Sequence, residues 1–350
     1  MSTVSDVAQR FKNSNLRETF DENRSFLLVV PGLFAWLAFM LIPMLYVVAL
    51  SFTNATSSSG SNLFQGDNTI FGFVPIGQAD VVWFENYLEL FFSREALRGQ
   101  FMDLLLSNPI ALFNGEFWNS FLITWLFVVL SVTGKVVLGI AISLVMTGDR
   151  VRGKRFMRGI IILPMGVPPI FSIMVWNAVF SSARFGLMNQ LLSVFGLEAV
   201  GWTQDRWPAF FAYIITEMWL AYPFMVLITV SALQNVNGEL LDAAKVDGAH
   251  YLHRLRHVIL PSIKRPVMFG TILTSAASFQ QFLIPWVFNK GGPARSNELL
   301  MVYAYREAFD RNVRDFGTAS TIVLTAVFFI GVFMWVAVKK GKLAEEAGEA

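Results

Sequence analysis

The sequence predicts an all-α, polytopic membrane protein with six transmembrane helices, and two observations lead to that prediction. Of the 350 residues, 55% are hydrophobic and only 15% are charged, whereas about 25% of a soluble domain is charged. Six apolar stretches are also long enough for a helix to cross about 30 Å of hydrocarbon. These stretches lie at 27–51, 119–146, 159–180, 208–235, 266–288 and 318–338.

The order of these stretches defines the predicted domains. The first stretch follows a mixed-charge segment, 1–26, and lacks a small-residue cleavage site, so it is predicted to remain as a span. The six-helix domain covers 27–338, and a short tail covers 339–350. Prolines within the spans predict kinks, because neighbouring helices can satisfy the freed carbonyls. They are Pro31, Pro43, Pro164, Pro168, Pro169, Pro223 and Pro285.

The distribution of Lys and Arg predicts the orientation. Seventeen of these residues lie in the segments 1–26, 147–158, 236–265 and 339–350. Nine lie in the three segments on the other side, 52–118, 181–207 and 289–317, which contain more residues in total. Positive charge accumulates on the cytoplasmic side, so both termini are predicted to lie inside. The first outer segment, 52–118, is predicted to form short interfacial helices or a small packed cap, and both alternatives stay open. The outer segment 289–317 is predicted to be a solvated surface because its charges nearly cancel.

The predicted cytoplasmic loop at 236–265 is longer than a connector needs and is strongly patterned. Glu239 and Asp242 place negative charge at the start of a helix, where the helix dipole favours it. Gly248 is placed to end that helix, and a second amphipathic helix is predicted to stop at Pro261. Two short helices joined at a glycine would project from the membrane. An interfacial helix pair resting on lipid headgroups is the alternative.

The same loop resembles a known family. Asp242-Ala243-Ala244, Gly248 and Leu260-Pro261 are similar to the EAA loop of ABC importer permeases, with Asp242 where the family usually has Glu. Ser51-Phe52-Thr53 and the run from Asn289 to Pro293 add to the resemblance. The similar group is the carbohydrate-uptake, maltose-permease-like subunits.

The resemblance implies a MetI-like fold and a division of labour. The loop would dock as a coupling helix into a cytoplasmic ATPase subunit through Glu239, Asp242, Ala243, Ala244, Asp247, Gly248, Leu260 and Pro261. The implied partners are a second, related permease, two ABC ATPase subunits, an extracytoplasmic sugar-binding protein and the lipid of a prokaryotic inner membrane. The chain itself would be no enzyme and would hold no cofactor, since ATP and Mg²⁺ bind to the ATPase subunits.

Other site classes are poorly supported by the residues. With no Cys and a net charge of +2, the chain offers no thiolate metal site and no basic field for nucleic acid. The segment from Gly148 to Arg155 matches the spacing of a phosphate-binding loop, but Arg155 replaces the required Ser or Thr. His250, His253 and His257 share one helical face, yet no carboxylate at matching spacing completes a metal shell.

Buried polar residues are the remaining candidates, because an ionisable group in hydrocarbon tends to face a cavity. Lys135 and Glu217 are the two intramembrane charges, and their predicted depths differ by about 10 Å, which leaves their pairing open. The resemblance places a sugar pathway at Glu217, Leu220, Ala221, Phe224, Ser278 and Gln281. The alternative is that these side chains hold helices four and five together.

Two other functions remain as alternatives. Lys135 and Glu217 could form the ion relay of an ion-coupled secondary transporter, although no inverted repeat is present. An importer permease for a non-sugar solute, such as glycerol phosphate, is the second, but an anionic cargo would sit poorly beside Glu217.

Overall fold

A computed structural model describes residues 24–58, 68–72, 74–148 and 151–341. The predicted N-terminal segment up to residue 23, part of the outer segment at 59–67, Arg150 of the basic loop and the tail after residue 341 lie outside the described residues.

The described chain is mainly helical, with a single two-stranded hairpin, which confirms the predicted fold class. Helix α1 consists of Arg24–Trp36, a π-helical turn at Leu37–Leu41 and Ile42–Leu50. The hairpin pairs β1, Asn68–Ile70, with β2, Val74–Gly77. The helices that follow are α2 Glu85–Phe91, α3 Phe101–Ser107, α4 Gly115–Thr147, α5 Lys154–Gly166, α6 Pro169–Val179, α7 Leu187–Val194, α8 Arg206–Gln234, α9 Gly238–Val246, α10 Tyr251–Phe279, α11 Leu283–Asn289, α12 Leu300–Tyr305 and α13 Phe316–Lys340.

Within the described residues, four helices are long and apolar enough to cross a membrane, or up to six if each of two bent pairs is one span. The four are Val29–Leu50, α4, α8 and α13. The predicted third span is the pair α5 and α6, which bends by 95°. This is a break and not a kink, because Pro168 and Pro169 lack amide donors and restrict the residue before them to an extended backbone. The predicted fifth span is α10 and α11, bent by 40°.

Close packing of α4 against α8 forms the centre of the bundle. A Cβ on Gly139 would lie 2.5 Å from the Cβ of Met225, so only glycine lets the two helices approach this closely. Nearer the N-terminal ends of the two helices, Phe127 and Phe210 are fully buried, with ring centroids 6.4 Å apart. The rigid pair α4 and α8 therefore provides the frame on which the other helices are placed.

Part of the predicted outer segment 52–118 packs as a small cap, whereas α3 has no buried residue and exposes Met102 and Leu106 as an interfacial helix would, so both alternatives stay open. Ile70 and Ile76 of the hairpin are 1% exposed and pack with the end of α1. Asn86 of α2 donates to the carbonyl oxygens of Ser51 at 2.9 Å and Thr53 at 2.8 Å. These hydrogen bonds attach the cap to the outer end of the first helix.

The prediction of a solvated surface at 289–317 holds for residues 309–314, which are all exposed, and is wrong around Glu298 and Glu307. Glu298 and Glu307 are each 1% exposed. Arg295 contacts Glu116 at 2.9 Å and Glu298 at 2.8 Å, while Arg306 contacts Glu298 at 2.6 Å. Near-cancellation of charge is equally compatible with inward-facing ion pairs, and the apolar face of α12 carries these side chains into the fold.

Candidate functional site

The loop between α8 and α10 contains a rigid turn. Asn237 caps α9 by accepting a hydrogen bond from the Glu239 amide at 2.8 Å. The helix ends in a Schellman arrangement, in which Ala249 N–H donates to Ala244 O at 2.9 Å and Gly248 N–H to Lys245 O at 3.1 Å. Gly248 has a φ of +75°, a conformation that glycine adopts without steric cost. The prediction that Gly248 ends this helix is confirmed.

The second helix of the loop does not stop at Pro261, and that prediction is wrong. Helix α10 begins at Tyr251 and continues to Phe279. A π-helical turn at Leu255–Ile259 precedes the proline, and Leu260 N–H donates to Leu255 O. The wider turn accommodates a residue that lacks an amide donor. The second loop helix is therefore the first part of a membrane helix, and both parts belong to the continuous helix α10.

The residues predicted to couple to an ATPase lie on the surface of this helix pair. Glu239, Asp242, Ala243, Asp247, Gly248, Leu260 and Pro261 are exposed, and Ala244 is half-buried. Lys245 contacts Asp242 at 2.7 Å and lowers the pKa of that carboxyl. Asp242 therefore differs from Asp247, because Asp242 already has the ammonium of Lys245 beside it.

Three exposed apolar side chains on the helix pair were missed by the sequence reasoning. Val246 is 87% exposed, Leu252 66% and Leu240 54%. Apolar side chains that project from a polar loop are expected in a surface that another protein covers. The signal was present in the sequence as isolated apolar residues at positions that a solvated helix would fill with polar ones.

The three histidines lie along one helical face, as predicted. The rings of His253 and His257 stack with centroids 4.2 Å apart, and His250 lies 5.9 Å from His253. Among the described residues, no group of three or more His, Cys, Asp or Glu side chains is arranged to hold a metal ion.

A buried polar network joins α4, α8 and α10 at the centre of the bundle. Lys135 Nζ lies 2.9 Å from Glu217 Oε1 and donates to Ser278 Oγ at 2.6 Å. Ser278 Oγ is also 3.0 Å from Glu217 Oε1, and Gln281 Nε2 donates to Glu217 Oε2 at 2.6 Å. Lys135 is fully buried and Glu217 is 5% exposed. The two intramembrane charges therefore form an ion pair.

The depth difference that left this pairing open has a simple explanation. Helix α4 begins at Gly115 and α8 at Arg206, so Lys135 lies further from the start of its helix than Glu217 does. Because the two side chains meet, the start of α4 must extend beyond the start of α8. The long lysine side chain also covers several ångströms between helices, since its flexible stem packs along apolar surface while the ammonium reaches a partner. Equal helix ends, assumed in the sequence estimate, are not a property of the folded bundle.

The predicted pathway residues separate into two groups. Glu217, Ser278 and Gln281 meet in the polar network, with Gln281 in the break between α10 and α11. Leu220 and Phe224 pack against two different hydrophobic clusters, and Ala221 is half-buried between them along α8. The polar half of the prediction is thus assembled around one carboxylate, and Lys135 is the member that the predicted pathway omitted.

Residues 135–339 match the family model described as the binding-protein-dependent transport system inner membrane component. The chain is 30% identical to the trehalose/maltose transport system permease protein MalF of Thermococcus litoralis, over 66% of this chain and 77% of that one. It is 27% identical to the galactooligosaccharides transport system permease protein GanP of Bacillus subtilis, over 95% and 75% of the two chains.

Among solved structures, a chain of a bacterial ABC transporter involved in the import of the acidic polysaccharide alginate superposes with a TM-score of 0.65. The identity is 16%, and the superposition covers 94% of this chain and 99% of the other. At this identity the likeness shows a shared fold.

Proposed function

Because the chain belongs to the family of binding-protein-dependent transport system inner membrane components, we propose that it is the permease subunit of an ATP-driven importer for a sugar. It is a transport component of the membrane and not an enzyme. Two relatives that align over most of their length are named as permeases for trehalose and maltose and for galactooligosaccharides. Their names support a sugar as the cargo of this chain.

The observation that carries the coupling role is the continuous helix α10. It begins at Tyr251 beside the Gly248 turn and ends at Phe279, two residues before Gln281. A rigid element transmits a displacement along its length, whereas a flexible loop dissipates it. A push on the exposed helix pair therefore moves the break that holds Gln281 beside Glu217.

We propose that this helix pair docks on an ATPase subunit. Val246, Leu252 and Leu240 provide apolar contact area, and Asp247 adds an exposed carboxylate for a basic partner surface. The complete importer would contain a second, related permease, two ATPase subunits that bind ATP and Mg²⁺, and an extracytoplasmic sugar-binding protein. The ATPase subunits would close on ATP and move α10.

The proposed orientation places this helix pair and both termini inside. The chain contains no cysteine, so single cysteines can be labelled without background. Val246→Cys, from an 87% exposed side chain, should react with a membrane-impermeant maleimide only in inverted vesicles. Val313→Cys, from a 57% exposed side chain at the other end, should react only in right-side-out cells. The reverse pattern would invert the proposed topology.

Glu217 is proposed as the polar centre of the sugar pathway. Its carboxylate accepts hydrogen bonds, while the amide of Gln281 and the hydroxyl of Ser278 offer the mixed donors and acceptors that match sugar hydroxyls. Glu217→Ala should therefore lower ATP-dependent uptake and change which sugars compete. Unchanged uptake and specificity in this variant would remove the network from the pathway and leave it a helix-packing element.

The central experiment is uptake by the complete complex in proteoliposomes, with its binding protein outside and ATP inside. Sugar should accumulate with ATP and not with its non-hydrolysable analogue. A protonophore should leave the initial rate unchanged. Loss of uptake with the protonophore, and no requirement for ATP, would favour the ion-coupled transporter.

A further inference from the structure

The ion pair at the centre of the bundle needs its own explanation. Lys135 and Glu217 are the only charged residues in α4 and α8 apart from Glu116 and Arg206 in the first turns. A buried ion pair is a weak source of stability, because apolar replacement of both partners is often neutral or stabilising. Two charges placed in the interior of a membrane bundle therefore point to a role in function.

The two helices do not require this pair to stay together. Gly139 lets α4 approach the backbone of Met225 closely. About one turn further along α4, Ser143 Oγ donates to Val226 O at 3.1 Å and forms a hydrogen bond between the same helices. Helix packing alone therefore leaves the ion pair unexplained.

The donors around Glu217 leave room for one more. Lys135 and Ser278 approach Oε1, while only Gln281 approaches Oε2. A carboxylate accepts about four hydrogen bonds, so Oε2 can take a further hydroxyl donor. Gln281 is half-buried in the break between α10 and α11, and the network is most accessible from this side.

We infer that Lys135 is a positioning residue that sets the net charge of the sugar pathway. It holds Glu217 in a salt bridge and cancels its charge, so that the pathway admits uncharged sugars and discriminates against sugars that carry a carboxylate. The inference rests on the proposed function and adds the chemical class of cargo and the residue that selects it.

The selection follows from desolvation. An acidic sugar must leave its water at a site where no unpaired cation replaces it, since the ammonium of Lys135 is already held by Glu217 at 2.9 Å. A neutral sugar loses only hydroxyl hydration and regains hydrogen bonds from Oε2 and from the amide of Gln281. Removing either charge alone should therefore change the selectivity, and removing both should restore it.

The test uses Lys135→Met, Glu217→Gln and the double variant in the complete importer. Uptake of uncharged disaccharides (maltose, trehalose and galactobiose) is measured with and without an alginate disaccharide as acidic competitor. In the wild type the acidic disaccharide should not compete. Lys135→Met should lower uptake by about tenfold, because the Glu217 carboxylate is then buried without its cation.

Rescue separates this role from a structural one. The double variant should regain uptake of the uncharged disaccharides, and Lys135→Arg should keep it, because the site is again neutral. The acidic disaccharide should compete only in Glu217→Gln, where the cation is left alone. Ser143→Ala, which removes the other α4–α8 hydrogen bond, is the matched control and should keep the uptake and selectivity of the wild type.

Three results would overturn the inference. One is a Lys135→Met importer with wild-type uptake of the uncharged disaccharides. Another is a uniform loss of uptake that the double variant does not relieve, which would indicate packing alone. The third is ATP-dependent uptake of the acidic disaccharide by the wild type in preference to the uncharged ones, which would leave the importer assignment intact. Absence of any ATP-dependent sugar uptake by the wild type would contradict the proposed function itself.

Discussion

The turn at Gly248 is the place where a small backbone change should separate ATP hydrolysis from transport. Its φ of +75° lies in the left-handed region, and a Cβ added there would meet no atom within 4 Å. Gly248→Ala therefore tests backbone conformation with no steric contribution from neighbours. The strain of an L-residue in this conformation is about 1–2 kcal/mol.

Proline at the same position should have a larger effect. Its ring fixes φ near −65° and removes the amide that donates to Lys245 O at 3.1 Å. Proline is unable to adopt the positive φ, and the lost hydrogen bond adds about 1 kcal/mol to the free-energy cost of the substitution. About 1.4 kcal/mol corresponds to a tenfold change in an equilibrium constant, so Gly248→Ala should weaken the turn about tenfold. Gly248→Pro should abolish it.

The assay compares sugar uptake with ATP hydrolysis in the same proteoliposomes. Gly248→Ala should lower the ratio of sugar transported to ATP hydrolysed, and Gly248→Pro should leave only hydrolysis that the binding protein no longer stimulates. Gly238→Ala is the matched control, because this glycine lies in the first turn of α9 and its Cβ also meets nothing within 4 Å. Normal coupled uptake by a correctly inserted Gly248→Pro permease would refute the reasoning.

Two further predictions concern stability. Burial raises the pKa of the Glu307 carboxyl from 4.5 to about 7, so the folded protein binds this proton more tightly than the unfolded chain. The stabilisation is complete below pH 4.5 and is lost as pH rises through about 7; thermal unfolding midpoints should fall over that range, and Glu307→Gln should flatten the fall, whereas an unchanged slope would exclude Glu307. Gly139→Ala should lower the free energy of unfolding by about 1–3 kcal/mol, because the added methyl group overpacks against Met225. Gly134→Ala should have a smaller effect because it meets the flexible end of Met218; equal losses would show that backbone proximity is not the cause.

Local features of the fold were predictable wherever one segment contains its own physical cause. The stretch predicted at 119–146 lies within α4, Gly115–Thr147, because an uninterrupted apolar run of that length has few stable arrangements other than a helix in lipid. The turn at Gly248 was predictable for the same reason, since its requirement for a positive φ is met by the residue itself. The role of the turn in coupling stays a prediction.

Two errors arose where neighbouring residues override a rule that was applied to one residue. Pro261 was expected to stop a helix, but a π-helical turn ahead of it allows α10 to continue. Glu298 was expected to be solvated, yet Arg295 and Arg306 pair with it, and it is 1% exposed. In each case the residues involved are close in sequence, but residue type alone does not determine the helical turn or the burial that the fold gives them.

The sequence by itself determined a helical membrane chain, the position of its apolar spans, the glycine turn and the resemblance to importer permeases. These follow from hydrogen bonds, steric limits and hydration that act over a few neighbouring residues. The tertiary structure decided that Lys135 and Glu217, 82 residues apart, form one ion pair, and that Ser278 and Gln281 form hydrogen bonds with it. The physical reason is the relative offset of packed helices, which depends on contacts such as that between Gly139 and Met225 and is absent from any single segment.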